Sequence, residues 1–151
     1  MYLTLCIDPF RRAVTLQERV AAMTRIMVVD DHSMVRKQLR QVIQEREGWE
    51  VCGEASDGQE AIRQHTALKP QVTVMDFSMP LLDGLQAARQ ILSDQPSASI
   101  LMISISDGRQ LIKEMKKIGV KGFCLKRDID DLFAAVEALL RGETYFNERS
   151  D

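Results

Sequence analysis

Three short apolar runs in this 151-residue chain each lead into a group able to hold a metal or a phosphate. Arg-Ile-Met-Val-Val (25–29) runs into Asp30 and Asp31, Val-Thr-Val-Met (72–75) runs into Asp76, and Gly-Phe-Cys-Leu (122–125) is followed by Lys126. A fourth run, Ile-Leu-Met-Ile (100–103), ends on the hydroxyl of Ser104. Acids gathered at one place repel by several kcal/mol per close pair at an effective dielectric of about 20. A hard divalent cation removes that repulsion. Mg²⁺ takes oxygen ligands, keeps several waters, and uses one or two carboxylates plus phosphate oxygens. Asp30 or Asp31, Asp76 and the backbone carbonyl of Ser78 are the expected protein ligands. Asp76 is the best nucleophile, since a strand-end carboxylate can attack a phosphoryl group and form an aspartyl phosphate. Such a transfer needs positioning and charge neutralisation, for which Lys126 and the Ser104 hydroxyl are suited. Alone, each of these residues reads as a cap, a turn hydroxyl or a solvated charge. Their joint placement at matching strand ends is what signals a site.

The elements that must position them alternate. From about residue 25 onward, short β-branched runs are separated by helical patterns, the pattern of buried parallel strands. The first helix reads Ser33 to about Glu47, with Val35, Leu39, Val42 and Ile43 at helical spacing and Gly48 after it. A strand follows over 49–54. Asp57 reads as an N-cap with Glu60 three residues on, and Ala61, Ile62, His65 and Leu68 share a face. Pro70 blocks continuation. After the strand at 72–75, the loop 77–83 leads through Gly84 to a helix carrying Leu85, Ala88, Ile91 and Leu92. The strand at 100–103 precedes a helix from about Asp107 to Lys117, and residues 120–125 form the fifth strand. Asp128 caps the last helix, whose apolar stripe is Ile129, Leu132, Phe133, Val136, Leu139 and Leu140. The expected fold is α/β: a doubly wound, five-stranded parallel sheet of flavodoxin-like (βα)5 type, strand order 2-1-3-4-5. In that order strands 1 and 3 flank the switch point where ligands bind. The order is inferred from the site, because periodicity does not supply it.

Composition narrows the function. The chain is 45% hydrophobic and 28% charged, as in ordinary soluble domains, and its length suits one domain. Net charge is −2 and no basic stripe is present, which argues against direct nucleic-acid binding. No apolar segment is long enough to span a bilayer, and no secretory signal is recognisable. Cys6, Cys52 and Cys124 are odd in number and far apart, so they read as small hydrophobes in a reducing compartment. His65 reads as a packing residue. His32 neighbours the acidic pair, but one imidazole gives no zinc geometry.

Residues 24–142 resemble the receiver domain of two-component response regulators. The stretches that carry the likeness are Ile-Met-Val-Val-Asp-Asp-His (26–32), Gly-Glu-Ala-Ser-Asp-Gly-Gln-Glu-Ala (53–61), Met-Asp-Phe-Ser-Met-Pro-Leu-Leu-Asp-Gly (75–84), Ile-Ser (103–104) and Gly-Phe-Cys-Leu-Lys (122–126). The first and last are most similar to NarL/FixJ-type receivers. The resemblance implies that Asp76 is the phosphoacceptor, that Asp30 and Asp31 bind the metal with Asp31 the direct ligand, and that Ser104 and Lys126 are the family's hydroxyl and lysine. Phe123 matches the switch aromatic. Pro80 and Gly84 shape the loop after Asp76. Ile105 departs from the pattern, since a small residue is common there.

The implied protein is a cytoplasmic signalling switch that catalyses only its own phosphotransfer and dephosphorylation, with a sensor histidine kinase or a histidine phosphotransfer protein as donor. A stand-alone phosphate shuttle or sink is the alternative, and homodimerisation stays open. An Asp-nucleophile phosphatase would want a second acid two residues past the nucleophile, where Ser78 stands. Nucleotide-binding glycine motifs are missing. The expected organisation is an N-terminal extension over 1–23, a receiver over 24–142 and a tail over 143–151. Within the extension, Thr15-x-x-Glu18 with Leu16, Val20 and Met23 fits either a short amphipathic helix or a leader without structure.

Overall fold

The computed structural model describes residues 13–106 and 108–147. Its elements are α1 (Leu16–Ala21), β1 (Thr24–Val29), α2 (Ser33–Gln44), β2 (Trp49–Ala55), α3 (Gly58–Leu68), β3 (Val72–Asp76), α4 (Gly84–Asp94), β4 (Ile100–Ser104), α5 (Arg109–Ile118), β5 (Gly122–Leu125), α6 (Ile129–Leu140) and β6 (Tyr145–Phe146). The sheet order is β2-β1-β3-β4-β5-β6, and all five pairings are parallel. The expected 2-1-3-4-5 core is therefore present, with one strand added at its edge.

The core forms two layers because side chains alternate across each strand. In β1, Met27 and Val29 join the layer under α3, α4 and α5, with Ala61, Ala88, Ile91, Ile112 and Met115. Ile26 and Val28 join the opposite layer under α2 and α6, with Leu39, Ile43, Leu132, Val136 and Leu139. Both faces of the central strands are thus covered, which is why β3 and β4 are buried along their whole lengths. The register carries Asp76 level with Ile103 and Ser104 level with Leu125. The four chemical groups accordingly emerge at one rim.

Local chemistry sets the helix boundaries. Asp57 accepts from the Glu60 N–H at 2.8 Å, as expected of an N-cap. The Glu60 carboxylate does not close a capping box. It reaches one residue further, to the Ser56 N–H and hydroxyl, both at 3.0 Å. Those bonds, the backbone one foremost, hold its pKa below the ordinary glutamate value. At the N-terminus of α4, Asp83 and Gln86 do form a capping box.

Several expectations are corrected. Tyr145 and Phe146, placed in the tail, pair with Gly122 and Phe123 as β6. Two residues are too few for a period-2 signal, so the strand is invisible in sequence. The helix after β4 starts at Arg109, and Asp107 lies outside the described residues. In α6, Ile129 and Leu140 are exposed at the helix ends, and Ala135 and Ala138 are buried instead. Cys52 is only half-buried, whereas Cys124 is buried and its thiol is pushed up to about 12, chiefly by desolvation. Cys6 lies outside the described residues. Residues 16–21 do form a helix, capped by the Thr15/Glu18 box, and none of its residues is buried.

Candidate functional site

The rim beyond the carboxyl ends of β1, β3, β4 and β5 gathers the expected residues. Asp30 leaves β1 with its N–H donated to the Ala55 carbonyl at 3.1 Å. The Phe77 N–H, just past Asp76, donates to the Ile103 carbonyl at 2.9 Å, and the Lys126 N–H donates to the Ser104 carbonyl at 2.9 Å. The sheet ladder thus runs one residue beyond the strands and fixes where each side chain departs.

Lys126 is the hinge of the site. Its Nζ stands 2.7 Å from Asp30 Oδ2 and 3.1 Å from Asp76 Oδ2. Asp30 and Asp76 are almost wholly buried, at 0% and 2% exposure. Burial raises the Asp76 pKa above the usual carboxylate value, the Lys126 contact opposes it, and the Asp30 charge adds to the rise. Burial lowers the Lys126 pKa, but its bonds to Asp30 and Asp76 outweigh that and leave it raised. The other carboxylate oxygens meet the backbone. Asp76 Oδ1 accepts from the Ser78 N–H at 3.2 Å, and Asp30 Oδ1 from the His32 N–H at 2.9 Å.

Ser104 is buried, and its Oγ accepts from the Ser106 N–H at 3.3 Å. Phe123 is fully buried on β5, level with Met102 on one side and Phe146 on the other. It belongs to the core beneath the rim rather than to the pocket itself. The loop after Asp76 turns back sharply. Gly84 donates its N–H to the Phe77 carbonyl at 2.9 Å, and a Cβ at Gly84 would meet the Asp76 carbonyl oxygen at 2.2 Å. Only glycine lets α4 start there.

One atom each from Asp30, Asp31, His32 and Asp76 lie within 4.8 Å of one another. Asp30 Oδ2, Asp31 Oδ1 and Asp76 Oδ2 are buried oxygens that accept no well-aligned hydrogen bond. Lys126 faces two of them and the His32 ring the third, and one ammonium does not balance three carboxylates. That donor set fits a hard divalent cation. Sequence reasoning saw His32 only as a neighbour. It missed Arg36, whose Nη1 donates to the Asp30 carbonyl at 2.7 Å while Nε lies 3.9 Å from Glu54 Oε1. The available signal was a basic residue one turn into α2, facing an acid on the adjoining strand.

Comparison with known proteins agrees with this geometry. Residues 26–137 match the family model of the response regulator receiver domain. The chain is 35% identical over 102 residues to the chemotaxis protein CheY of Thermotoga maritima, covering 68% of this chain and 84% of that one. It is 29% identical over 126 residues to the transcriptional regulatory protein DegU of Brevibacillus brevis, covering 83% of this chain but only 53% of DegU. Among solved structures, a LuxR-family two-component response regulator from an Aurantimonas species superposes with a TM-score of 0.79 at 35% identity, over 82% of this chain and 89% of that one. The receiver domain of NarL from Mycobacterium tuberculosis gives 0.75 at 30% identity, over 80% and 98%. The chain spans about half of the curated DegU it matches. With the fold, the rim and the family model in accord, the chain belongs to the receiver domains of two-component response regulators.

Proposed function

We propose that this receiver is switched by phosphorylation of Asp76. The observation that carries the reading is the bridge from Lys126 Nζ to Asp30 and Asp76, at 2.7 and 3.1 Å, inside an acidic pocket at the strand ends. The donor is a phosphohistidine of a sensor kinase or phosphotransfer protein. An Asp76 carboxylate oxygen attacks phosphorus, the P–N bond breaks as the P–O bond forms, and the leaving imidazole takes up a proton. Asp30, Asp31, Asp76 and the Ser78 carbonyl would hold Mg²⁺, which when bound neutralises phosphoryl oxygens. Lys126 stays against the product's oxygens, and the Ser104 hydroxyl donates to another. Phe123, beneath that hydroxyl, is the aromatic that repacks as the switch.

Residues 24–142 are the unit that carries this chemistry, and the Tyr145–Phe146 strand extends its sheet. A phosphohistidine donor of this kind places the receiver in the cytoplasm; no helix among the described residues is long and apolar enough to cross a membrane. Likeness to DegU favours control of transcription. A stand-alone receiver or phosphate shuttle is the alternative reading. The test of the core reading is incubation with acetyl phosphate and Mg²⁺ followed by intact mass. One base-labile phosphoryl group should appear, and Asp76→Ala should not gain it. Labelling of Asp76→Ala would refute the assignment.

A further inference from the structure

We infer that His32 is a metal ligand, and that the pocket therefore binds the nitrogen-seeking ions Co²⁺, Ni²⁺, Cu²⁺ and Zn²⁺ in preference to Mg²⁺. The inference builds on the acidic pocket proposed above as the metal site. It begins with the place of His32 in the chain. His32 is the N-cap residue of α2, yet its side chain makes no capping hydrogen bond. The ring turns instead toward the acids, with Nδ1 3.0 Å from Asp31 Oδ1 and 3.3 Å from Asp30 Oδ1. Neighbouring ligands of an ion bound at about 2.1 Å stand roughly 3 Å apart in an octahedral shell. The His32 spacings are those of adjacent ligands around one ion.

The shell this makes is mixed. Asp30, Asp31 and Asp76 offer oxygen, and His32 offers one imidazole nitrogen, all within 4.8 Å. Mg²⁺ is served by carboxylates, carbonyls and water and gains little from imidazole, whereas Co²⁺, Ni²⁺, Cu²⁺ and Zn²⁺ bind it well. Three carboxylates alone already rank the first-row ions in the Irving–Williams order, and the added nitrogen widens their lead over Mg²⁺. The buried Asp30 carboxylate is steered from both sides, since its Oδ1 accepts the His32 N–H at 2.9 Å and its Oδ2 faces Lys126 at 2.7 Å. The main chain of His32 is thereby locked to the same acid that its ring approaches. The ring itself is two-thirds exposed, at 67%, so an ion can draw it in without displacing the core.

Co²⁺ is the probe, because its complexes report their ligands. The full chain is titrated with Co²⁺ and, separately, with Mg²⁺ by calorimetry, and compared with His32→Ser, which keeps a residue suited to the N-cap. Outer-shell partners of metal ligands alone are worth about 10–100-fold in affinity. His32→Ser should therefore weaken Co²⁺ by at least about tenfold while Mg²⁺ stays within about twofold. Proton NMR of the Co²⁺ complex should show one strongly shifted imidazole N–H resonance that is absent in D₂O and in His32→Ser. Asp31→Asn should remove that resonance as well, placing the ion in this pocket.

Equal changes for Co²⁺ and Mg²⁺ would overturn the inference, because the ring would then act only as a charge beside the acids. An unchanged Co²⁺ affinity in His32→Ser, or a shifted resonance that survives it, would overturn it too. Urea unfolding of His32→Ser in EDTA guards against a folding artefact, and wild-type-like stability is expected. Failure of the phosphoacceptor reading would show separately, as absent acetyl phosphate labelling of Asp76 whatever the Co²⁺ titration gives.

Discussion

Replacing Asp76 by asparagine should stabilise the metal-free protein, and that advantage should shrink once Mg²⁺ is added. Asp76 shares its pocket with two other carboxylates whose ligand atoms lie within 4.8 Å. At that separation and an effective dielectric of about 20, each like-charged pair costs about 3.5 kcal/mol. Lys126, 3.1 Å away, returns about 5 kcal/mol on the same scale. The balance is unfavourable by about 2 kcal/mol, and burial of the carboxylate adds to it. Partial exposure of Asp31 and the raised Asp76 pKa both reduce the cost. A gain of about 1–3 kcal/mol for Asp76→Asn in EDTA follows. Lys126 is not orphaned by the change, because Asp30 stays 2.7 Å from its ammonium. Mg²⁺ works against that gain by mass action. At a hundred times its dissociation constant it adds about 2.7 kcal/mol to the wild type, and less to a variant lacking one anionic ligand. Urea unfolding followed by circular dichroism, with EDTA and with saturating Mg²⁺, measures both states. If Asp76→Asn were less stable than wild type in EDTA, or if the difference were the same with and without Mg²⁺, the electrostatic account would be wrong.

Three further outcomes are expected. His65 is buried on α3 and its pKa is held below 6.5 by desolvation; the stability this confers is fully present above pH ~6.5 and is lost as pH falls through the lower folded-state value. Urea midpoints between pH 5 and 7 should therefore slope downward with acid in the wild type and be flatter in His65→Leu, and parallel slopes would refute this. The aspartyl phosphate should be long-lived, because exposed Ser78 and Ser106 carry no group able to orient an attacking water and Ile105, 75% exposed, stands at the mouth; Ser78→Asn or Ile105→Ala should shorten the phosphate-release half-life, and no change in either would end the shielding idea. Starting the chain at Met23 should leave folding and acetyl phosphate labelling intact, because α1 buries no residue, and aggregation or loss of labelling on removal would contradict it.

The sequence was most legible where chemistry and periodicity coincided. Asp30, Asp76, Ser104 and Lys126 each terminate an apolar run, so the run locates the strand and its end locates the group. Helix starts were legible through Asp57 and Asp128, each of which accepts from the N–H three residues on, whereas the Asp83 cap of α4 was read only as the end of a loop. Long-range partners were not legible. Arg36 reaches the Asp30 carbonyl only because α2 folds back across β1, and Tyr145 meets Asp131 only because β6 lies beside β5. Neither contact leaves a periodic trace. His32 falls between these cases. The Asp-Asp-His triplet was visible, but that its ring turns to the acids instead of capping α2 is a matter of rotamer, which spacing does not encode.

The glycine at the start of α4 has a mechanical corollary. Its Cα is so close to the Asp76 carbonyl that not even a methyl group fits between them. The helix and the strand end therefore behave as one solid piece, a stationary jaw. Opposite it, Ile105 and Ser106 project into solvent, and Ser106 is tethered to Ser104 by a bond of 3.3 Å. That is the free jaw. A phosphoryl group on Asp76 would meet close-packed backbone toward α4, and the easier displacement would lie across the sheet, through β4 toward β5 and the two-residue strand beside it. On the phosphorylation reading the pocket would work as a vice with one fixed face, and the direction of its travel would be set by a missing side chain.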